Sequence, residues 1–219
     1  MSISCWVNAW QSLGVNEYVI SFKTGSYWFL RHSEGSYQFT PNDNEANARI
    51  NYVPPVFPVG QWTHIVGTYN GQNSKLYYNG SLVGTKAYTG GIRNTLGSLT
   101  IGALLIPGGA ALQFTSGIID DVRLYSSALS IDEVGSLYAK KNYPTDRLVA
   151  YYKFDEGVGS FVYNSASVEM PTNDALAHFR FNVSGTVYNS EVNNISGVGI
   201  SGLNIGAGIY GNGSALLFG

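Results

Sequence analysis

Cysteine is nearly absent: Cys5 is the only one in 219 residues. A single thiol builds neither a disulfide framework nor a thiolate metal site. Set in the apolar run Ile3–Val7, Cys5 reads as a small core hydrophobe. Charge is also scarce. Lys, Arg, Asp and Glu make up 12% of the chain, about half the usual share. The net charge is −2 and no Lys/Arg stripe is present, so a nucleic-acid partner lacks the basic footprint it requires. No apolar run reaches the roughly 20 residues of a membrane helix, which excludes membrane insertion by that route. Met1–Trp6 lack the charged and apolar regions of a secretory leader, so the export route and the natural start are not legible in these residues. His32, His64 and His178 are too dispersed to show metal-ligand spacing, and no nucleophile elbow frames a Ser/His/Asp triad.

The chain is rich in what short strands and tight turns need. It has 27 Gly, 16 Tyr and 10 Phe, and its apolar fraction is 44%. Asn79-Gly80, between Leu76–Tyr78 and Ser81–Val83, predicts a hairpin, because a type I′ turn needs positive φ at both central residues. Further strands are expected at Ser2–Ala9, Tyr18–Lys23, Trp28–His32, Ser36–Phe39, Ala48–Val53, Trp62–Tyr69, Leu99–Ala103, Gly117–Tyr125, Leu148–Asp155, Phe161–Tyr163 and Ala215–Phe218. One helix is expected over Ile131–Lys141. Ser130 and Glu133 form a capping box, Leu129 and Val134 a hydrophobic staple, and Pro144 bars continuation. The Gly/Asn/Ser-rich stretch from Asn182 to Gly213 has no legible elements. The fold class expected is all-β: an antiparallel jelly-roll β-sandwich with one short helix at about 131–141.

Four segments, in order, resemble the laminin-G-like/concanavalin-A-like jelly roll: Ser2–Val7, Gln61–Val66, the hairpin Leu76–Val83, and Ser116–Tyr125 followed by Ala128-Leu129-Ser130. Leu148–Gly159 is similar to that family's first strand, and Gly208–Phe218 to its next segment. The beginning of the fold is therefore written after its end. Residues 1–126 read as the C-terminal-type part, 127–147 as the capped helix and linker, and 148–219 as the N-terminal-type part. A lone half would expose its core face and its edges. Completion is thus expected either within the chain or by a neighbouring subunit.

For function, the resemblance implies a non-catalytic extracellular module, structural or adhesive, at a cell or virion surface. Its partners would be copies of itself or neighbouring repeats, and strand complementation between subunits would build a filament. The alternative is a lectin-like module that binds glycans with the support of Ca²⁺, which members of the family often carry. Alternation over Gly117–Tyr125 puts Asp120 on one face with Ile118, Val122 and Leu124, and Glu156 shares the inward parity of Leu148–Phe154. A buried carboxylate needs a cation or donors. The candidate oxygen ligands are Asp120, Glu156, Asp155, Asp121 and Asn164; otherwise Asp120 accepts backbone N–H bonds or pairs with Arg123 or Lys153. Trp28, Tyr37, Tyr69 and Tyr78 are the candidate sugar-stacking rings, unless they are core or ordinary sheet residues. The Glu-x-Asp-x-Glu strand of the related β-glucanases is missing, since no Glu is followed two residues later by Asp.

Overall fold

The computed structural model describes residues 1–11, 17–22, 28–42, 46–92, 99–105, 110–157, 162–166, 179–181, 187–189, 204–207 and 214–218. The elements in chain order are β1 Ser2–Ala9, β2 Glu17–Phe22, β3 Trp28–Ser33, β4 Ser36–Thr40, β5 Ile50–Tyr52, β6 Trp62–Tyr69, β7 Asn73–Tyr78, β8 Ser81–Ala87, β9 Leu99–Ile101, β10 Leu104–Leu105, β11 Ala111–Leu112, β12 Gly117–Tyr125, α1 Ile131–Tyr138, β13 Leu148–Tyr152, β14 Phe179–Phe181, β15 Val187–Asn189, β16 Asn204–Ala207 and β17 Ser214–Phe218. They form two main antiparallel sheets. The larger runs β16-β17-β12-β1-β6-β7-β8, with β13 also paired to β12; the smaller runs β5-β4-β3-β2-β9. This is the jelly-roll sandwich the sequence predicts.

The sheets meet through one apolar layer. Alternation sends Ile3, Cys5 and Val7 of β1 and Ile65 and Tyr69 of β6 toward Tyr37 and Phe39 of β4, Leu30 of β3 and Ile20 of β2. Cys5 is fully buried there, as a core hydrophobe. The layer is tight at Gly67, where a Cβ would lie 2.2 Å from Phe39 Cδ2. Asn79 and Gly80 turn with φ of 47° and 79°, the double positive φ of a type I′ hairpin.

A second cluster lies on the outer face of the larger sheet. Val66, Tyr77, Tyr125, Leu148 and Tyr151 pack beneath Leu129, Val134 and Leu137. The helix that covers them starts as expected: Ser130 Oγ accepts from Glu133 N–H, and Glu133 Oε2 accepts from Ser130 N–H. Its end differs. The helix stops at Tyr138, and Lys140 adopts φ 54°, so Lys140 and Lys141 lie beyond the last turn and not within it. The Lys140 and Lys141 N–H groups close onto Leu137 and Ser136 carbonyls.

β12 takes both parts of the C-terminal third on one edge. Val122–Tyr125 pairs with Leu148–Tyr152 of β13, and Gly117–Ile119 pairs with Leu216–Phe218 of β17. The strand expected to reach Asp155 stops at Tyr152, where Phe154 turns the chain with φ 55°. Val162 and Tyr163 lie outside any strand, with only Asn164 bridging to Tyr152, while Phe161 lies outside the described residues.

Candidate functional site

The five expected metal ligands do not converge. In β12, Cys5 of β1 faces two residues, Asp121 and Val122, because the register slips between Ser4↔Arg123 and Trp6↔Asp120. Asp121 takes φ 57° in this bulge. Ile119 and Val122, three residues apart, therefore both face the core, and the simple alternation that aligned Asp120 with Val122 is broken. Asp120 Oδ1 accepts from Asp121 N–H at 2.8 Å, the backbone-acceptor arrangement that was one of its alternatives. Asp121 Oδ2 accepts from Arg123 Nη1 at 2.6 Å. Glu156 Oε1 accepts from Tyr163 N–H, and Asn164 Oδ1 from Tyr151 and Ala166 N–H. Asp155 is exposed on another wall. Among the described residues no three His, Cys, Asp or Glu side chains gather to hold a metal.

The expected sugar-stacking rings also fall elsewhere. Tyr37 is 1% exposed and Tyr69 4% exposed, because both share the inward parity of Phe39 and Ile65. Tyr37 stacks on Phe57 and its ring also meets Tyr78; Tyr69 packs on Tyr88. Tyr78 is half-buried between Tyr37 and Tyr52. The Trp28 side chain lies outside the described residues.

The structure assembles a different site at the C-terminal end of α1. A concavity of about 260 Å³ is lined by Arg123, Leu137, Lys140, Lys141, Tyr143, Tyr151, Lys153 and Asp155. Its floor is a cross-strand pair, Arg123 of β12 opposite Tyr151 of β13. Arg123 Nη2 donates to the Tyr151 hydroxyl at 2.8 Å. The guanidinium lies 4.0 Å from the Tyr151 ring centroid and 4.5 Å from that of Tyr143. The two rings meet edge to face at 5.7 Å. With Asp121 on one amine and Tyr151 on another, Arg123 is fixed in orientation. Lys140, Lys141 and Lys153 stand exposed on the rim, with Lys153 Nζ 5.4 Å from the Tyr151 ring. Trp6, 5.3 Å from Lys140 Nζ, stacks on Tyr138 and lies tilted against His64, and burial, reinforced by the Arg123 charge, pushes the His64 imidazole down to about 3.

A second concavity, about 350 Å³, is lined by Asn47, Ala87, Tyr88, Thr89 and Gly90. It carries no charged side chain, and its one ring, Tyr88, is 4% exposed with its hydroxyl bound to Asn42 and Gly91. It offers a ligand far less than the site beneath α1.

A laminin G-type family model, described as the concanavalin A-like lectin/glucanases superfamily, matches residues 1–135. No curated protein matches the chain by sequence. Among solved structures, a putative carbohydrate binding protein from Bacteroides ovatus superposes with a TM-score of 0.60 at 17% identity, over 75% of this chain and 48% of that one. The chain thus spans about half the length of that protein. The SAP-like heptameric pentraxin of Limulus polyphemus matches at 0.50 and 18% identity, over 65% of this chain and 71% of its own. The CBM40 domain of the Ruminococcus gnavus IT-sialidase, bound to α2,3-sialyllactose, matches at 0.50 and 16% identity, over 63% and 81%. At these identities the likeness is one of fold.

Proposed function

Because the chain belongs to the concanavalin A-like lectin/glucanases superfamily, we propose that it is a non-catalytic binding module, displayed outside the cell, whose ligand is a carbohydrate. The observation that carries this reading is the concavity beneath α1. The half-buried Tyr143 ring supplies an apolar wall, the exposed lysines and Asp155 supply adaptable rim contacts, and Arg123 and Tyr151, 3% and 6% exposed, form a closed floor. Its volume of about 260 Å³ lies just under the roughly 300–1,000 Å³ of drug-sized ligand sites, which suits a single sugar residue or a chain end. The carbohydrate-binding neighbours support the class of ligand. A glycosidase is disfavoured because the Glu-x-Asp-x-Glu strand is missing and the cavity lining offers one carboxylate, Asp155.

The pairing of β13 and β17 with β12 supports completion of the sandwich within one chain, and on this reading the protein is expected to work as a single copy. Exchange of this third between subunits would instead give a ladder of sizes in solution.

The test is a glycan array probed with the full chain, followed by titration of the strongest ligand. Tyr143→Ala, a half-buried ring at the wall, is expected to weaken binding by about fivefold to tenfold, the worth of one sugar-facing aromatic. An array on which nothing binds, or a ligand indifferent to Tyr143→Ala, would sink the proposal.

A further inference from the structure

Charge is scarce in this protein yet concentrated at one place. Only 12 of 219 residues are Lys or Arg. Four of them, Arg123, Lys140, Lys141 and Lys153, line the concavity beneath α1, against a single lining carboxylate, Asp155. Asp121, which holds the guanidinium, and Asp120 next to it are buried at 1% and 2% exposure and do not line the cavity. The mouth is therefore positive in a molecule whose net charge is −2. The ammonium groups belong to two different segments, the turn after α1 and the residues after β13, and they converge only in the folded chain.

Resting on the carbohydrate-binding reading of this site, we infer that its ligand is an acidic sugar, one whose carboxylate or sulfate is held by Lys141 and Lys153 at the rim while the ring lies against Tyr143. Two features favour a single anionic sugar over a polyanion. The cavity has room for one residue, and the chain has only 12 Lys and Arg residues in all, too few to track a polyanion from it. The lysines act as point charges for an oxyanion of either geometry.

The experiment titrates the full chain with 3′-sialyllactose, 3′-sulfated lactose and neutral lactose, at low salt and at 1 M salt, and repeats the series with Lys141→Gln/Lys153→Gln. Both lysines are exposed, so the variant is expected to keep the parent melting midpoint. The expected result is binding of one or both acidic sugars about tenfold tighter than lactose, weakened at 1 M salt where the screening length falls to about 3 Å, and weakened about fivefold to tenfold in the variant. The carboxylate and sulfate arms separate the two sources of the anion. Equal binding of lactose and the acidic sugars, independent of salt, overturns this inference and leaves the carbohydrate-binding proposal standing. Acidic-sugar binding that the variant does not weaken overturns it too, by placing the anion elsewhere. Failure of the parent chain to bind any glycan on the array removes the proposal on which the inference rests.

Discussion

The tightest point between the sheets lends itself to a quantitative test. Replacing Gly67 by Ala adds one methyl group in a strand where the Phe39 ring already fills the space, with ring atoms 2.2, 2.5 and 2.6 Å from the new Cβ. Ordinary contact begins at 3.4 Å, so the ring must retreat by 3.4 − 2.2, or 1.2 Å, and Phe39 is 0% exposed within close-packed neighbours. Overpacking of this kind costs about 1–3 kcal/mol, against which the lower unfolded-state entropy of Ala returns about 0.4–1 kcal/mol. The net loss expected is about 1–2 kcal/mol, or a fall of about 2–8 °C in melting midpoint for a domain of this size. The decisive assay is a double-mutant cycle by denaturant unfolding. Phe39→Ala alone is expected to cost about 3–5 kcal/mol through the cavity it leaves. In that background the Gly67→Ala methyl faces a void, so its cost should vanish, giving a coupling of at least about 1 kcal/mol. An identical cost for Gly67→Ala in both backgrounds would refute the inter-sheet contact and, with it, the packing of β4 on β6.

Acid stability offers a second test. His64 is fully buried, with Nε2 2.9 Å from Ser4 Oγ, and its folded value lies near 3. The folded value is below the unfolded one of about 6.5, so the neutral form stabilises the fold fully above that pH and progressively less as pH falls toward 3. One proton taken up on unfolding makes the slope about 1.4 kcal/mol per pH unit. His64→Gln should lose stability at pH 7 yet show a flatter acid limb, and parallel limbs from pH 6 to 4 would count against the buried neutral imidazole.

How far the sequence discloses this molecule depends on whether a feature is local. β1, β6 and β12 occupy the predicted ranges because their alternation and flanking turns are written in adjacent residues, and the capping box fixes the start of α1 for the same reason. The site is different. Its expected carboxylates rested on uninterrupted alternation through Gly117–Tyr125, and the bulge at Asp121 breaks it; nothing local announces the bulge, because the register that sets two residues of β12 opposite Cys5 exists only once β1 and β12 pair. Tyr37 and Tyr69 look like sheet-surface residues in isolation, and only the parity they share with Phe39 and Ile65 takes them inside. Tyr143, Tyr151 and the three lysines form a group only in the folded chain. Lys140 and Lys141 read as cations suited to a helix C-terminus, whereas the helix ends before them and delivers them to the cavity. The signal the sequence carries for them is the density of Lys, Arg and Tyr from Tyr138 to Lys153 in a chain otherwise poor in charge.

That delivery carries a cost that can be measured. Lys140 holds φ 54°, a left-handed conformation in the position where helices commonly place glycine. Asp121, which pins Arg123, and Phe154, between the lining residues Lys153 and Asp155, share the same region at φ 57° and 55°. Non-glycine residues in left-handed backbone cost about 1–2 kcal/mol each, and such strain gathers where a ligand is clamped. If the strain at Lys140 is retained for binding, Lys140→Gly should separate the two properties. Removing the Cβ relieves the left-handed penalty, less the greater unfolded-state freedom of glycine, so stability should rise by about 0.5–1 kcal/mol. The same change deletes a rim ammonium, so affinity for an anionic ligand should fall by about twofold to fivefold. Denaturant unfolding and ligand titration of one variant give both quantities. A Lys140→Gly protein that is less stable than the parent would show that the side chain earns its conformation through packing, including its contact 5.3 Å from the Trp6 ring, and the functional account of this turn would then fail.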